Sequence, residues 1–162
     1  MKKEINLKEL RKDAEEGYRR GDFFCSESIV ATIRNHFDMD IPLEAVAMAS
    51  GFPVGVGRAK CMCGAISGGV MSLGYFFGRQ EGGDPKVQKM MELSNELHTA
   101  FRAKNRVACC SILTSKMDMA SREHIDQCVR FTGEMAEETA KIIVRELPEQ
   151  YVFVEEKESV LN

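Results

Sequence analysis

Apolar residues recur along most of this chain at three- and four-residue steps, the spacing of one face of an α-helix. Leu7, Leu10, Ala14 and Tyr18 mark a first amphipathic helix that ends near Gly21. Asp22 offers an N-cap for a second helix from about Phe23 to Phe37, with Ile29, Val30 and Ile33 as its apolar stripe. Pro42 suits the start of a third, running through Val46 to Ser50. The stretch "GFPVGVGR" (51–58) has too many glycines for regular structure and predicts a tight loop. Gly64 to Phe77 reads as helix in spite of its glycines. After the break at "QEGGDP", Asp84 as N-cap and Pro85 in the first turn introduce a long helix to about Lys104. Residues 106–114 form a short helical or extended piece, and Ser121 opens the last long helix, with "KIIVRE" near its end. Residues 148–162 read as a polar tail in which "YVFV" is able to dock. The pattern predicts an all-α fold: a compact single-domain bundle of about five to six helices over residues 1–147.

Composition narrows the function classes. A chain of 162 residues can bury a core without disulfide staples. The net charge of −3 and the lack of a basic stretch argue against nucleic-acid binding. The segment from Gly64 to Gly78 is too short and glycine-rich to span a bilayer, so no membrane insertion is expected. The opening "MKKEINLKELRKD" is charged where a secretory leader would be apolar, which makes a cytoplasmic location the expectation. In a reducing compartment six cysteines point to metal binding or redox chemistry rather than to structural disulfides. The plain alternative for any one of them is a small buried core residue.

The helix that follows "CMC" carries the strongest local signal. Gly64, Gly68 and Ser72 share one face, widened by Ala65 and Gly69. Glycine inside a helix costs about 0.5–1 kcal/mol relative to Ala, so this face needs a close neighbour, either another helix or a bulky group. A subunit contact is a further possibility for the same face and gives a homodimer as one expected partner. Cys61 and Cys63 stand at the helix N-terminus, where free N–H groups and the positive end of the dipole favour anions. A thiol there is expected to have a lowered pKa and to be available for nucleophilic attack or metal ligation.

The cysteines and their surroundings resemble the C_GCAxxG_C_C family of redox-active four-cysteine proteins. Its members carry an early Cys after a short helix, a Gly-rich segment, a Cys-Gly-Ala-x-x-Gly motif, a Cys ahead of a leucine-containing turn and a last Cys on the final helix. Here the matching stretches are "EGYRRGDFFCSES", "ASGFPVGVGR", "CGAISG", "CSIL" and "CVRF", in that order, over most of residues 15–145. The resemblance implies that Cys25, Cys63, Cys110 and Cys128 are the functional set, with Cys61 and Cys109 as additions peculiar to "CMC" and "CC". It also implies an iron–sulfur cluster, as in cytochromes in which a similar domain accompanies haem-binding segments. No Cys-x-x-Cys-His is present, so covalent haem is not expected.

Three readings remain open from the residues. In the first, the four cysteines ligate a cluster for electron transfer to a redox partner protein, with Gly57, Arg58 and Gly64 around it and the glycine loop 51–57 wrapping it. Their separations of 38 residues (25 to 63), 47 (63 to 110) and 18 (110 to 128) lack the paired knuckles of a zinc ribbon, which makes structural zinc the weaker metal reading. In the second, no metal is bound: Cys63 acts as the nucleophile of a thiol–disulfide centre, with Cys25 or Cys128 resolving. In the third, the chain is a helical interaction protein whose cysteines are merely buried. His124 shares a helix face with Cys128 and is a candidate to tune or replace a ligand, whereas His36 and His98 read as surface or cap residues. Met90, Met91, Met117 and Met119 read as adaptable core.

Overall fold

The computed structural model describes residues 1–154. The chain runs β1 (Lys3–Asn6), α1 (Leu7–Arg19), α2 (Cys25–His36), α3 (Glu44–Ala47), α4 (Pro53–Val56), α5 (Gly64–Phe77), α6 (Lys86–Asn105), α7 (Cys110–Leu113), α8 (Arg122–Glu146) and β2 (Tyr151–Val154). The helical domain expected from the pattern is present. A short parallel strand pair accompanies it, with Lys3 opposite Tyr151 and Asn6 opposite Val154. Of the tail 148–162, "YVFV" is thus β2, and residues 155–162 lie outside the described residues.

Local side-chain bonds account for several helix starts. Asn6 caps α1 by accepting from Glu9 N at 3.1 Å, and Ser121 Oγ caps α8 by accepting from His124 N at 3.1 Å. At α6 the N-cap is Pro85, one residue later than expected, and Asp84 Oδ1 accepts from Lys86 N at 2.8 Å from just outside the helix. The start of α2 differs from the expectation. Asp22 makes no cap there; instead Glu27 Oε2 accepts from Phe24 N at 3.0 Å, so the helix begins at Cys25. A glutamate in the first turn reaching back to the preceding amide does the work of a cap from inside the helix.

The core lies where α1, α2, α5, α6 and α8 meet, filled by Leu10, Ile29, Ile33, Leu73, Leu93, Leu97, Phe101, Met135 and Ile143. The glycine face of α5 is spent inside this chain. A side-chain carbon on Gly68 would stand 2.7 Å from Ser26 O and 2.8 Å from Ser26 Cα, so α5 lies directly on the α2 backbone. Gly69 faces Leu97 of α6 and Thr139 of α8 in the same way. The face that suggested a subunit contact is therefore occupied by the protein's own helices.

The segment 54–58 turns the wrong way for L-residues. Val54, Gly55, Val56, Gly57 and Arg58 all have positive φ, between 56° and 71°. Glycine adopts this conformation freely, but the two valines and Arg58 each give up about 1–2 kcal/mol to it. The left-handed turn is closed by Lys60 N donating to Val54 O at 3.1 Å and Cys61 N donating to Gly55 O at 3.2 Å. A side chain at Gly55 would collide with the Cys61 backbone, so glycine is required there. The turn delivers Cys61 and Cys63 to the mouth of α5.

Candidate functional site

Four separate elements bring Cys25, Cys63, Cys110 and Cys128 to the wall of one small cavity. Cys25 is the first residue of α2, Cys63 is the N-cap of α5, Cys110 is the first residue of α7, and Cys128 lies in the second turn of α8. Side-chain bonds hold these segments in place. Ser26 Oγ donates to Ala49 O at 2.8 Å and Ser28 Oγ to Ala14 O at 2.7 Å, fixing the start of α2. Cys63 N donates to Ala108 O at 2.9 Å, and Gln127 Nε2 of α8 donates to Leu113 O of α7 at 3.0 Å. Cys25, Cys63 and Cys110 are buried and Cys128 is half-buried. All six cysteines are free thiols.

The rest of the wall is apolar. Phe24, Pro53, Val54 and Phe131 line it, together with Gly64, Tyr18 and His124. Of the expected cofactor residues, Gly64 is in the wall, while Gly57 and Arg58 are on the exposed side of the loop and take no part in it. The loop contributes through Pro53 and Val54 instead. The cavity encloses about 20 Å³, room for one water-sized body. The thiols converge without forming a finished ligand set: among the described residues, no three His, Cys, Asp or Glu side chains are placed to share a metal ion.

Electrostatics at the site reverse the expectation for Cys63. Burial pushes its thiol up to about 12, although the N–H groups of Ala65 and Ile66 at the helix mouth pull the other way. The magnitudes decide this. A helix terminus contributes about 0.3–1 kcal/mol, less than one pKa unit, whereas full burial shifts a group by up to about 3–5 units. The other three follow suit. Burial, reinforced by the neighbouring Cys63, holds Cys25 well above its ordinary value even though the Ser26 amide donates to it. Burial takes Cys128 to about 11 and raises Cys110, the latter against the pull of Lys60. In the free protein at neutral pH the four are neutral thiols.

Two polar side chains bracket Cys128. Tyr18 hydrogen-bonds its thiol from α1, and burial beside Cys128 keeps the phenol protonated far into the alkaline range. His124 Nε2 lies 3.4 Å from Cys128 Sγ, one helical turn away. Its Nδ1 is buried and has no hydrogen-bond partner among the described residues. The sequence signalled His124 by its spacing from Cys128 but gave no hint of Tyr18, whose place in the helical stripe explained it fully.

Cys61 and Cys109 are elsewhere. Both lie outside the buried wall, on the outer side of the seam between 60–63 and 108–111, at an open groove. Cys61 is exposed and Cys109 partly so. Hydrogen bonding, first to the Ser111 hydroxyl at 3.0 Å, lowers the Cys109 pKa.

Among the described residues no helix is long and apolar enough to cross a membrane. No curated protein and no solved structure matches the chain. One family profile does match, over residues 23–142, under the description "Putative redox-active protein (C_GCAxxG_C_C)". That span takes in all four cavity cysteines and most of the chain, and the protein belongs to the C_GCAxxG_C_C family.

Proposed function

We propose that the protein is a small electron-transfer protein, or the redox partner of a larger enzyme, whose Cys25, Cys63, Cys110 and Cys128 ligate an iron–sulfur cluster. One observation carries this reading: four cysteines from four separate elements meet at a single buried, largely apolar cavity. The donor set fits the group, since four thiolates satisfy either common cluster type. The surroundings fit as well. The amides of Ser26, Ala65 and Ile66 already donate to two of the sulfurs, which suits anionic thiolate ligands.

A bound cluster supplies one-electron transfer at a potential set by hydrogen bonds to sulfur, charge and burial. The chain's own residues do the rest. Cys25, Cys63, Cys110 and Cys128 would hold the cluster as thiolates, since a metal's charge would outweigh the burial that keeps them neutral in the free protein. Tyr18 and His124 hold Cys128 from two sides, and Phe24, Pro53, Val54 and Phe131 exclude water. Raised thiol pKa values speak against Cys63 as a nucleophile in the free protein, since thiolate is the reactive form.

A second reading rests on the tightness of the cavity. About 20 Å³ is less than a cluster occupies, so loading requires the walls to part, whereas a disulfide between two of the four thiols needs no added volume. Anaerobic purification, an optical spectrum and iron and sulfide analysis of the wild type and Cys63→Ala separate the two. Brown protein with stoichiometric iron, bleached by the substitution, is the expected result. Colourless, iron-free protein whose buried thiols oxidise reversibly in pairs overturns it in favour of the disulfide.

A further inference from the structure

The two additional cysteines are a pair. Cys63 N donates to Ala108 O at 2.9 Å and Ser111 N donates to Lys60 O at 2.9 Å, so two backbone bonds clamp residues 60–63 against 108–111. Cys61 and Cys109 lie between these clamps on the outer side. The two thiols are close enough across the seam for Cys61 to act on Cys109, and Cys109 Sγ donates to Lys60 O at 3.4 Å. The groove they open onto is walled by Met62, Val107 and Ile112 with His98 and Arg102 of α6, which leaves space for an incoming small molecule. Neither Cys61 nor Cys109 contributes to the buried wall.

We propose that Cys61 and Cys109 form a second, peripheral redox centre: a surface dithiol that closes to a disulfide across the 60–63/108–111 seam by exchange with an aliphatic disulfide. The first step forms a bond between Cys109 Sγ and one sulfur of the incoming disulfide. Its S–S bond breaks, the other half leaves as a thiol, and the Cys109 proton goes to solvent and on to the leaving sulfur. Cys61 Sγ then attacks Cys109 Sγ, the mixed disulfide breaks, and the second half leaves as a thiol carrying the Cys61 proton. The dithiol loses two electrons and two protons, and the small disulfide gains them. The closed form would tie together the two segments that carry Cys63 and Cys110. The pair is independent of whether the buried cysteines hold a cluster.

The test uses the full chain, reduced and then equilibrated anaerobically in mixtures of glutathione and glutathione disulfide. Free thiols are blocked with a maleimide, the protein is cut with trypsin, and the peptides are weighed. Trypsin releases Cys61 and Cys63 together on 61–79 and Cys109 and Cys110 together on 107–116, so a joined pair alone is ambiguous and the variants decide. The expected result is a joined species with two blocked thiols that is lost in Cys61→Ser and in Cys109→Ser, each leaving a glutathione adduct on the surviving partner. It should persist in Cys63→Ser and in Cys110→Ser. Separate peptides with glutathione on both Cys61 and Cys109, or a joined species that survives Cys61→Ser, would overturn the proposal. Iron content has no part in this readout, so its failure and that of the cluster reading are distinguishable.

Discussion

Gly64 is the reason the Cys25 thiol has somewhere to be. A side-chain carbon at position 64 would stand 2.6 Å from Cys25 Sγ, with Phe52 O at 3.1 Å and Pro53 Cα at 3.3 Å closing the other sides. Two of the three neighbours are backbone and cannot step aside. Gly64→Ala is therefore expected to destabilise the protein by about 1–3 kcal/mol, the usual range for overpacking, and to displace Cys25 from the cavity. Urea unfolding measures the first effect and iron per chain the second. A variant as stable as wild type with full iron content would show that Cys25 has other room.

The same helix holds a control. Gly68 lies on the Ser26 backbone, whereas the nearest atom to a carbon added at Gly74 is the flexible end of Met90 at 3.9 Å. Gly68→Ala should cost about 1–3 kcal/mol, while Gly74→Ala should stabilise by about 0.5–1 kcal/mol through helix propensity alone. Thermal unfolding of the two variants side by side gives opposite signs. Equal effects would mean that α5 does not lie on α2 as described.

Alkali should unfold the metal-free, reduced protein in a window set by the buried thiols. Cys63 and Cys128 titrate at about 12 and about 11 in the folded chain, against an ordinary 9.0 once exposed by unfolding. Between these limits the native state binds more protons than the unfolded one. The stabilisation is complete below about pH 9 and is lost as pH rises through the folded values, at about 1.4 kcal/mol per pH unit for each thiol. Urea titrations at pH 8, 9 and 10 measure the slope. Cys63→Ala should make it shallower by one thiol's share, and an unchanged slope would rule out the buried-thiol explanation.

Tyr18→Phe removes the hydroxyl on Cys128 and keeps the ring. Loss of one hydrogen bond is expected to cost about 0.5–1.5 kcal/mol in the metal-free protein. In the iron-loaded protein it should leave the optical spectrum in place and move the reduction potential to a more negative value, because a donor to sulfur favours the more negatively charged, reduced state. A potentiometric titration that finds no shift, or a shift of opposite sign, counts against Cys128 as a ligand.

Much of this arrangement is legible in the sequence. The stripe Leu7, Leu10, Ala14, the Asp84–Pro85 break ahead of α6 and the cap at Ser121 announce their helices because the cause of each is local. The ordered cysteines of "CGAISG", "CSIL" and "CVRF" likewise separate Cys63, Cys110 and Cys128 from Cys61 and Cys109, which is the division between buried wall and open groove. What sequence reasoning missed depends on distant partners. β1 has four residues and a mate near the other end of the chain, too short a run for periodicity to register. Asp22 looks like a cap, yet Glu27 takes that role from within the helix. The Cys63 titration failed as an expectation because its helix mouth is visible in sequence and its burial, the larger effect, is a property of the packed whole.

The pairing of β1 with β2 sets an order of events. Ile5 and Phe153 meet across nearly the entire chain, and α1 and α8 also pair across more than a hundred residues, but the helices join along a broad apolar face whereas each strand has only four residues. Closing so long a loop for a few hydrogen bonds is unfavourable until the helices have already brought its ends near, so this strand pair should lock last and release first. The helical core and the cysteine-lined cavity would then assemble without it, and amide exchange at β1 would outpace exchange in α5 and α8.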